Sequence, residues 1–337
     1  MASVRSIARL TGVSTATVSR VLNNNPGVEP STREKVMAMV AETDYRPVVG
    51  KKSTSNVAFV YTDEASLGSP FDSALLAGVC EKLRERDFDL LVLHAEHSRL
   101  AGESLKQMFV RKGVRGAIVR TTAKTRHVCE EISRERFPAV VAGERFEGPT
   151  VRSVQCCSRG ASREAAGHLL DLGHRRIALC TNVVDDTDHA DRAHGFAEAL
   201  KARGLDPMAE PLLRAPADRE GGVQLARRIA ALPTPPTALF VLDPMLCAGL
   251  LQELPNLGLR VPADVSVMGF DDGELRHLLS PEMSCVCQDA KALGEEAVDL
   301  LDELIDHPDR SGGAPSRTLQ AWLELHRTCA APAAATD

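Results

Sequence analysis

Residues 4–23 read VRSIARLTGVSTATVSRVLN and predict two short helices joined by a glycine turn. Ser3 is suited to cap the first helix, and Gly12 supplies the left-handed conformation that ends a helix. Ser14 can cap a second helix over 15–22. Apolar residues recur at helical spacing and are expected to face inward; they are Val4, Ile7, Ala8, Leu10, Val18, Val21 and Leu22.

A third helix is predicted after a loop. The run 23–27 reads NNNPG and has turn chemistry, and Pro30 suits the first turn of a helix in which Val36 and Val40 face inward. Two helices joined by a tight turn and braced by a third form the helix-turn-helix arrangement. We therefore predict a helix-turn-helix domain over 1–46 and a polar linker over 47–56.

The charge of the chain is divided unevenly. Residues 1–52 contain eight Lys and Arg against four Asp and Glu, a net charge of +4, whereas the rest of the chain carries −10. A small basic domain on a larger acidic body suggests that only the amino-terminal domain meets a polyanion. A solvated basic surface is the structural alternative.

The body of the chain alternates short apolar runs with amphipathic helical patterns. Such alternation predicts α/β lobes in which helices cover parallel sheets, and the number of units exceeds one sheet. We predict a two-lobed domain over 57–329, with a ligand cleft between the lobes. The N-terminal lobe is assigned 57–155 plus 287–329, the C-terminal lobe 156–286, and a flexible tail 330–337.

The second predicted helix has side chains suited to a DNA major groove. Thr15 and Ala16 are small enough for close approach, and Arg20 can form a bidentate pair with guanine, worth roughly 1–3 kcal/mol of discrimination. Phosphate oxygens are suitable partners for a second set of side chains, namely Ser14, Thr17, Ser19 and Asn23. The alternative is a surface helix of a small helical domain.

The amino-terminal sequence closely resembles that of LacI/GalR-family transcription regulators. The similarity extends over essentially the whole chain and implies a periplasmic-binding-protein-like sensor, a homodimer, a pseudo-palindromic DNA operator and a small-molecule effector. The segments that carry it are 4–23, TREKV (32–36), YRP (45–47), SPF (69–71), LGHRRIA (172–178), RAHGF (192–196) and LRVPADVSVMGFDD (259–272).

The resemblance also implies an effector site. Arg192 and Asp271 would line the cleft and bind paired hydroxyl groups, such as those of a carbohydrate, and Phe71 would pack on a ring. Asp186 and Asp188 could add acceptors. Structural alternatives remain: an interlobe ion pair for Arg192, a helix cap for Asp271 and core packing for Phe71.

The chain departs from the family pattern at three places. The segment from Pro47 to Val57 is about five residues shorter than expected and has no Ala-Arg-x-Leu hinge helix. Val48 and Val49 are the apolar residues available to enter a minor groove, and Lys51 is a candidate phosphate contact. Asp243-Pro244 and Gln155 replace residues common in the family and indicate an altered effector pocket.

Other function classes have little support. No GxSxG, P-loop, GxGxxG or HExxH motif is present, so we expect neither an enzyme nor a metal site nor a cofactor. The absence of a leader and of a long apolar run predicts a cytoplasmic protein with no membrane partner. A solute-binding protein and a regulator without effector response remain as alternatives to an effector-controlled repressor.

Overall fold

The computed structural model describes residues 3–22, 27–43, 48–49, 52–53, 56–62, 67–184, 186–306 and 315–333. The helices in these ranges are α1 (Val4–Thr11), α2 (Thr15–Leu22), α3 (Pro30–Glu42), α4 (Pro70–Glu85), α5 (Leu105–Arg111), α6 (Arg126–Arg134), α7 (Ser158–Asp171), α8 (Thr187–Ala202), α9 (Arg219–Ala230), α10 (Pro244–Glu253), α11 (Leu275–Leu278) and α12 (Ala290–Asp306). The strands are β1 (Val48–Val49), β2 (Lys52–Ser53), β3 (Asn56–Tyr61), β4 (Asp89–His94), β5 (Val114–Arg120), β6 (Ala139–Ala142), β7 (Val151–Cys157), β8 (Ile177–Thr181), β9 (Leu212–Arg214), β10 (Ala238–Val241), β11 (Ser266–Asp271), β12 (Ser284–Cys287), β13 (Arg317–Gln320) and β14 (Trp322–Glu324).

The three amino-terminal helices form the predicted helix-turn-helix domain. Ser3 forms a capping box with Ser6 at the start of α1, and Gly12 ends that helix with φ at 72°. The Ser14 hydroxyl accepts the backbone N–H of Thr17 at 3.0 Å and so caps α2. The core of this domain is largely apolar; its buried members include Ile7, Val18, Val21, Val36 and Val40.

The linker contains a small antiparallel ribbon. Strand β1 pairs with β2 in the register Val48 to Ser53 and Val49 to Lys52. These four residues lie within the predicted polar linker, 47–56. The family's hinge helix is not formed by 48–49 and 52–53, which agrees with the missing Ala-Arg-x-Leu pattern.

The body consists of two sheets, each covered by helices on both faces. The sheet of the N-terminal lobe has the order β13-β7-β6-β5-β3-β4 and is parallel throughout. The sheet of the C-terminal lobe has the order β14-β12-β11-β10-β8-β9 and is parallel except at β14. The α/β class with two parallel-dominated lobes is therefore confirmed. None of the described helices is long and apolar enough to cross a membrane.

The chain crosses between the lobes three times. It passes into the C-terminal lobe after β7, returns after β12 so that α12 packs against α4, and leaves again between β13 and β14. The predicted N-terminal segment 287–329 is thus divided, because β14 pairs with β12 and Cys329 packs in the core of the C-terminal lobe. Residues 330–333 of the predicted flexible tail are described, and the Ala330 carbonyl lies 2.9 Å from His174 Nε2.

Candidate functional site

Helix α2 presents a polar face to solvent. Its apolar side, Val18 and Val21, is buried against α1 and α3. The candidate DNA contacts on the opposite side are exposed, with Thr17 half-buried beside Ser14; the exposed ones are Ser14, Thr15, Ala16, Ser19 and Arg20. An exposed polar face on a helix held from behind is the arrangement that docking into a groove requires.

Four further candidate DNA contacts cannot be placed in the same way. Asn23 and Lys51 lie outside the described residues. Val48 and Val49 form strand β1, and only their backbone is described. Their contact with DNA stays a prediction.

A cavity of about 420 Å³ lies between the two lobes. Its walls come from the carboxyl ends of strands and the following loops, where ligands of open parallel sheets bind. Four of the five predicted effector residues line it: Phe71, Asp186, Asp188 and Arg192. Their contact with an effector remains a prediction, but the fold brings them together.

Arg192 is the buried centre of the cavity wall. Its Nη1 donates to the Leu242 carbonyl at 2.6 Å, its Nη2 pairs with Asp188, and its guanidinium stacks on Phe270 at 4.2 Å. Among the described residues Arg192 pairs with Asp188 and Asp272 of its own lobe, so the interlobe ion pair considered for it is not found there. Its Nε has no hydrogen-bond partner among the described residues, which leaves one buried donor for a ligand.

Asp272, and not Asp271, faces the cavity. Asp271 is fully buried, pairs with Arg276 at 2.9 Å and accepts the backbone N–H groups of Gly273 and Arg276. Asp271 therefore has a structural role at the start of α11, in agreement with the alternative of a helix cap. Adjacent residues of an extended chain point in opposite directions, so the side chain of Asp272 lines the cavity. Its Oδ1 lies 4.0 Å from Arg192 Nη2.

The start of α8 holds the other two predicted carboxylates. Asp186 caps the helix by accepting the backbone N–H of His189 at 2.7 Å, and it also contacts the imidazole of His189. Burial by itself raises the pKa of Asp186, but the hydrogen bonds from His189 outweigh it and lower the pKa to about 2. Asp188 accepts bonds from both Arg192 and the Ser158 hydroxyl.

Phe71 joins the cavity wall to the core of the N-terminal lobe. It packs against that core, as the structural alternative proposed, and also lines the cavity. The Arg120 guanidinium stacks on its ring at 4.7 Å and donates to Asp72 at 2.7 Å. Gly143 has φ at +82°, a left-handed backbone conformation that favours glycine, so a larger residue there would be strained.

Several cavity residues escaped the sequence analysis. Tyr61 ends β3, Thr62 comes directly after it and Glu144 follows β6, and all three line the cavity. Asp243, which the sequence placed in the effector pocket, lines the cavity as well. The signal that could have found the first three is their position at the ends of predicted strands. The Tyr61 hydroxyl is buried and has no partner among the described residues, so it adds a second available polar group.

Comparison with known proteins supports this reading of the chain. The family model for bacterial regulatory proteins of the lacI family matches residues 3–48, and that for the periplasmic binding protein-like domain matches 166–321. The ribose operon repressor of Escherichia coli is 30% identical over 317 residues, which cover 91% of this chain and 94% of that protein. The chain belongs to the lacI family.

Other members of the lacI family are similar over nearly the whole chain. The HTH-type transcriptional repressor PurR of Photobacterium profundum is 26% identical over 311 residues, covering 90% of this chain and 92% of its own. The solved complex of the transcriptional regulator CelR with cellobiose is 27% identical with a TM-score of 0.70, covering 97% and 100% of the two chains. The lac repressor dimer bound to operator and the anti-inducer ONPF is 25% identical with a TM-score of 0.68, covering 98% and 99%. This lacI-family chain is a DNA-binding transcription regulator with an effector-binding domain.

Proposed function

We propose that this regulator is a repressor whose homodimer binds a pseudo-palindromic operator and whose DNA affinity is set by an uncharged carbohydrate in the interlobe cavity. The two-fold symmetry of a dimer presents two copies of α2 to two half-sites of the operator. Relatives named for ribose and cellobiose, and a lac repressor dimer bound to operator, support this reading.

The charge of the cavity carries the proposal of an uncharged effector. Two arginines, Arg120 and Arg192, face six carboxylates: Asp72, Glu144, Asp186, Asp188, Asp243 and Asp272. A phosphorylated or carboxylated ligand would be repelled by this excess of negative charge. Sugar hydroxyls donate to carboxylates and accept from arginine, so they suit both kinds of group.

The available polar atoms agree with a ligand that both donates and accepts hydrogen bonds. Arg192 Nε is a donor, and the Tyr61 hydroxyl can act either way. Burial raises the pKa of Tyr61, and Asp72 raises it further, so the hydroxyl keeps its proton at neutral pH. Phe71 offers an apolar surface for the carbon face of a ring.

The test is a DNA-binding titration with defined probes. The purified chain would first select its operator from random duplex DNA, and anisotropy would then measure affinity for that operator in the presence of ribose, cellobiose and other neutral sugars. Ribose 5-phosphate is the charged control. We expect one neutral sugar to change the affinity by about 5–150-fold, the usual range of allosteric coupling.

Two results would contradict the proposal. A chain that binds every duplex equally at physiological salt would not be a sequence-specific repressor. A response to the phosphorylated sugar without a response to any neutral sugar would contradict the effector class and leave DNA recognition intact.

A further inference from the structure

A group of metal-ligating side chains lies on the C-terminal lobe, outside the interlobe cavity. His277 of α11, together with Glu324 and His326 from the end of the chain, brings one ligand atom each within 4.8 Å of the others. His326 Nε2 lies 3.3 Å from Glu324 Oε2, and the two imidazole rings meet edge to face with centroids 5.3 Å apart. DNA binding and effector binding, as described above, use none of these three residues.

The frame around this group is held by backbone hydrogen bonds. Glu324 ends β14, which pairs with β12, and His326 donates its backbone N–H to the Ser284 hydroxyl at 2.9 Å. Residues 324 and 326 are two apart in an extended segment, so their side chains project from the same face. Ligands on rigid elements are already positioned, which lowers the cost of ordering a metal site.

The neighbouring residues orient the carboxylate and leave the group negatively charged. Arg276 donates to Glu324 Oε2 at 2.7 Å, and Trp322 Nε1 donates to Oε1 at 2.8 Å. Because Arg276 also pairs with Asp271 at 2.9 Å, its single positive charge is shared between two carboxylates. Arg276, Asp271 and Glu324 together carry a net charge of −1, and this negative charge favours a cation.

We propose that His277, Glu324 and His326 form a Zn²⁺ site. Two imidazole nitrogens and one carboxylate oxygen are ligands that Zn²⁺ takes, with a fourth position left open. Ligands of a tetrahedral Zn²⁺ stand about 3.3 Å apart. His326 Nε2 and Glu324 Oε2 already have that separation. The His277 side chain is exposed, and its rotation brings the imidazole nitrogen from within 4.8 Å to the same distance from both. The ion would tie α11 to β14.

Calorimetric titration of the reduced full-length chain with Zn²⁺ tests the site. We expect one saturable site, weakened at least about tenfold in H277A and in H326A, since even the loss of an outer-shell partner costs 10–100-fold. The matched control is H97A, which removes a histidine that stacks on His94 at 4.1 Å in the other lobe. This control should bind Zn²⁺ like the parent chain.

Trp322 is the single tryptophan of the chain and reports on the site through its bond to Glu324. Paramagnetic Co²⁺ should quench its fluorescence, with a midpoint that shifts at least about tenfold in H277A but not in H97A. Unchanged Zn²⁺ affinity in H277A and H326A would overturn the proposal. So would a thiolate-to-cobalt absorption band that persists in both variants, since it would place the ion on cysteines. Thermal melts of each variant establish that the fold is kept.

Discussion

Glu144 of the N-terminal lobe accepts two hydrogen bonds from Thr187, the first residue of helix α8 in the C-terminal lobe. The Thr187 backbone N–H lies 2.6 Å from Oε1, and its hydroxyl bonds to Oε2. Glu144 is only 5% exposed, and a helix amino terminus favours a negative charge. A second ion pair, Arg145 with Asp191, crosses the same gap. Direct contacts therefore hold the two lobes together beside the cavity.

Replacing Glu144 with alanine should open the cleft. Hydrogen bonds to a buried charge contribute about 2 kcal/mol, so the ratio of closed to open molecules should fall about 30-fold. Small-angle X-ray scattering would record a larger radius of gyration. E147A removes an exposed carboxylate from the same loop and should scatter like the parent chain. Identical scattering curves for E144A and the parent would show that this contact does not hold the lobes together.

Replacing Arg20 with alanine should weaken base discrimination. Arg20 lies on the exposed face of α2, and loss of a bidentate pair with guanine costs about 1–3 kcal/mol. The ratio of operator to random-duplex affinity should fall about 5–150-fold in an anisotropy titration. R9A, an exposed arginine at the end of α1, is the matched control and should keep the ratio. An equal loss on all duplexes in R20A would assign Arg20 to phosphate instead.

Asp272 should make stability depend on pH. Burial is the largest influence and raises the pKa of Asp272 to about 6. Arg192 and the Gln288 amide lower this pKa, whereas the negative charges of Asp243 and Asp188 raise it. Between about pH 4 and 6 the folded chain holds a proton on Asp272 that the unfolded chain releases, so this contribution to stability is lost as pH rises. A shift of about two pKa units corresponds to about 3 kcal/mol.

The variant D272N removes the proton that causes this dependence. Denaturant melts between pH 4 and 7 should show the parent chain losing stability relative to D272N as pH rises, by up to about 3 kcal/mol. D171N, at an exposed carboxylate, should follow the parent chain. If the free energies of unfolding of the parent chain and D272N changed with pH in parallel, Asp272 would be ionised throughout this range.

Val110 should hold the helix-turn-helix domain against the body. It belongs to α5 of the N-terminal lobe, is 5% exposed and packs in the apolar cluster of the amino-terminal helices, where α5 contacts α3. V110D would place a charge in that contact and cost about 2 kcal/mol or more. We expect faster proteolysis of the linker, by about tenfold or more.

The control for this prediction is V92D. Val92 lies on β4 and is 48% exposed, so a charge there is solvated and should leave the linker's cleavage rate unchanged. Equal cleavage of V110D, V92D and the parent chain would show that the domain does not depend on α5 for its position.

Interactions between residues close in sequence explain what could be predicted from the sequence alone. Caps, glycine turns and helical periodicity involve residues three or four apart, so α1, α2 and α3 and most of their buried residues were predicted correctly. Leu10 was expected to face inward and is wrong, since its side chain is 55% exposed. The alternation of apolar runs with helices likewise predicted two α/β lobes. Arg192 and Phe71 came from matched motifs, whereas Asp186 and Asp188 came from the polar loop that precedes Arg192.

Tertiary structure alone decided how distant segments meet. The short strands β12, β13 and β14 have little pattern of their own and exist because each pairs with a longer neighbour in a sheet. Two adjacent aspartates carry no local sign of which one faces a cleft. The pairing of Asp271 with Arg276 settles that choice in favour of Asp272, because only packing determines which side of a strand end is buried.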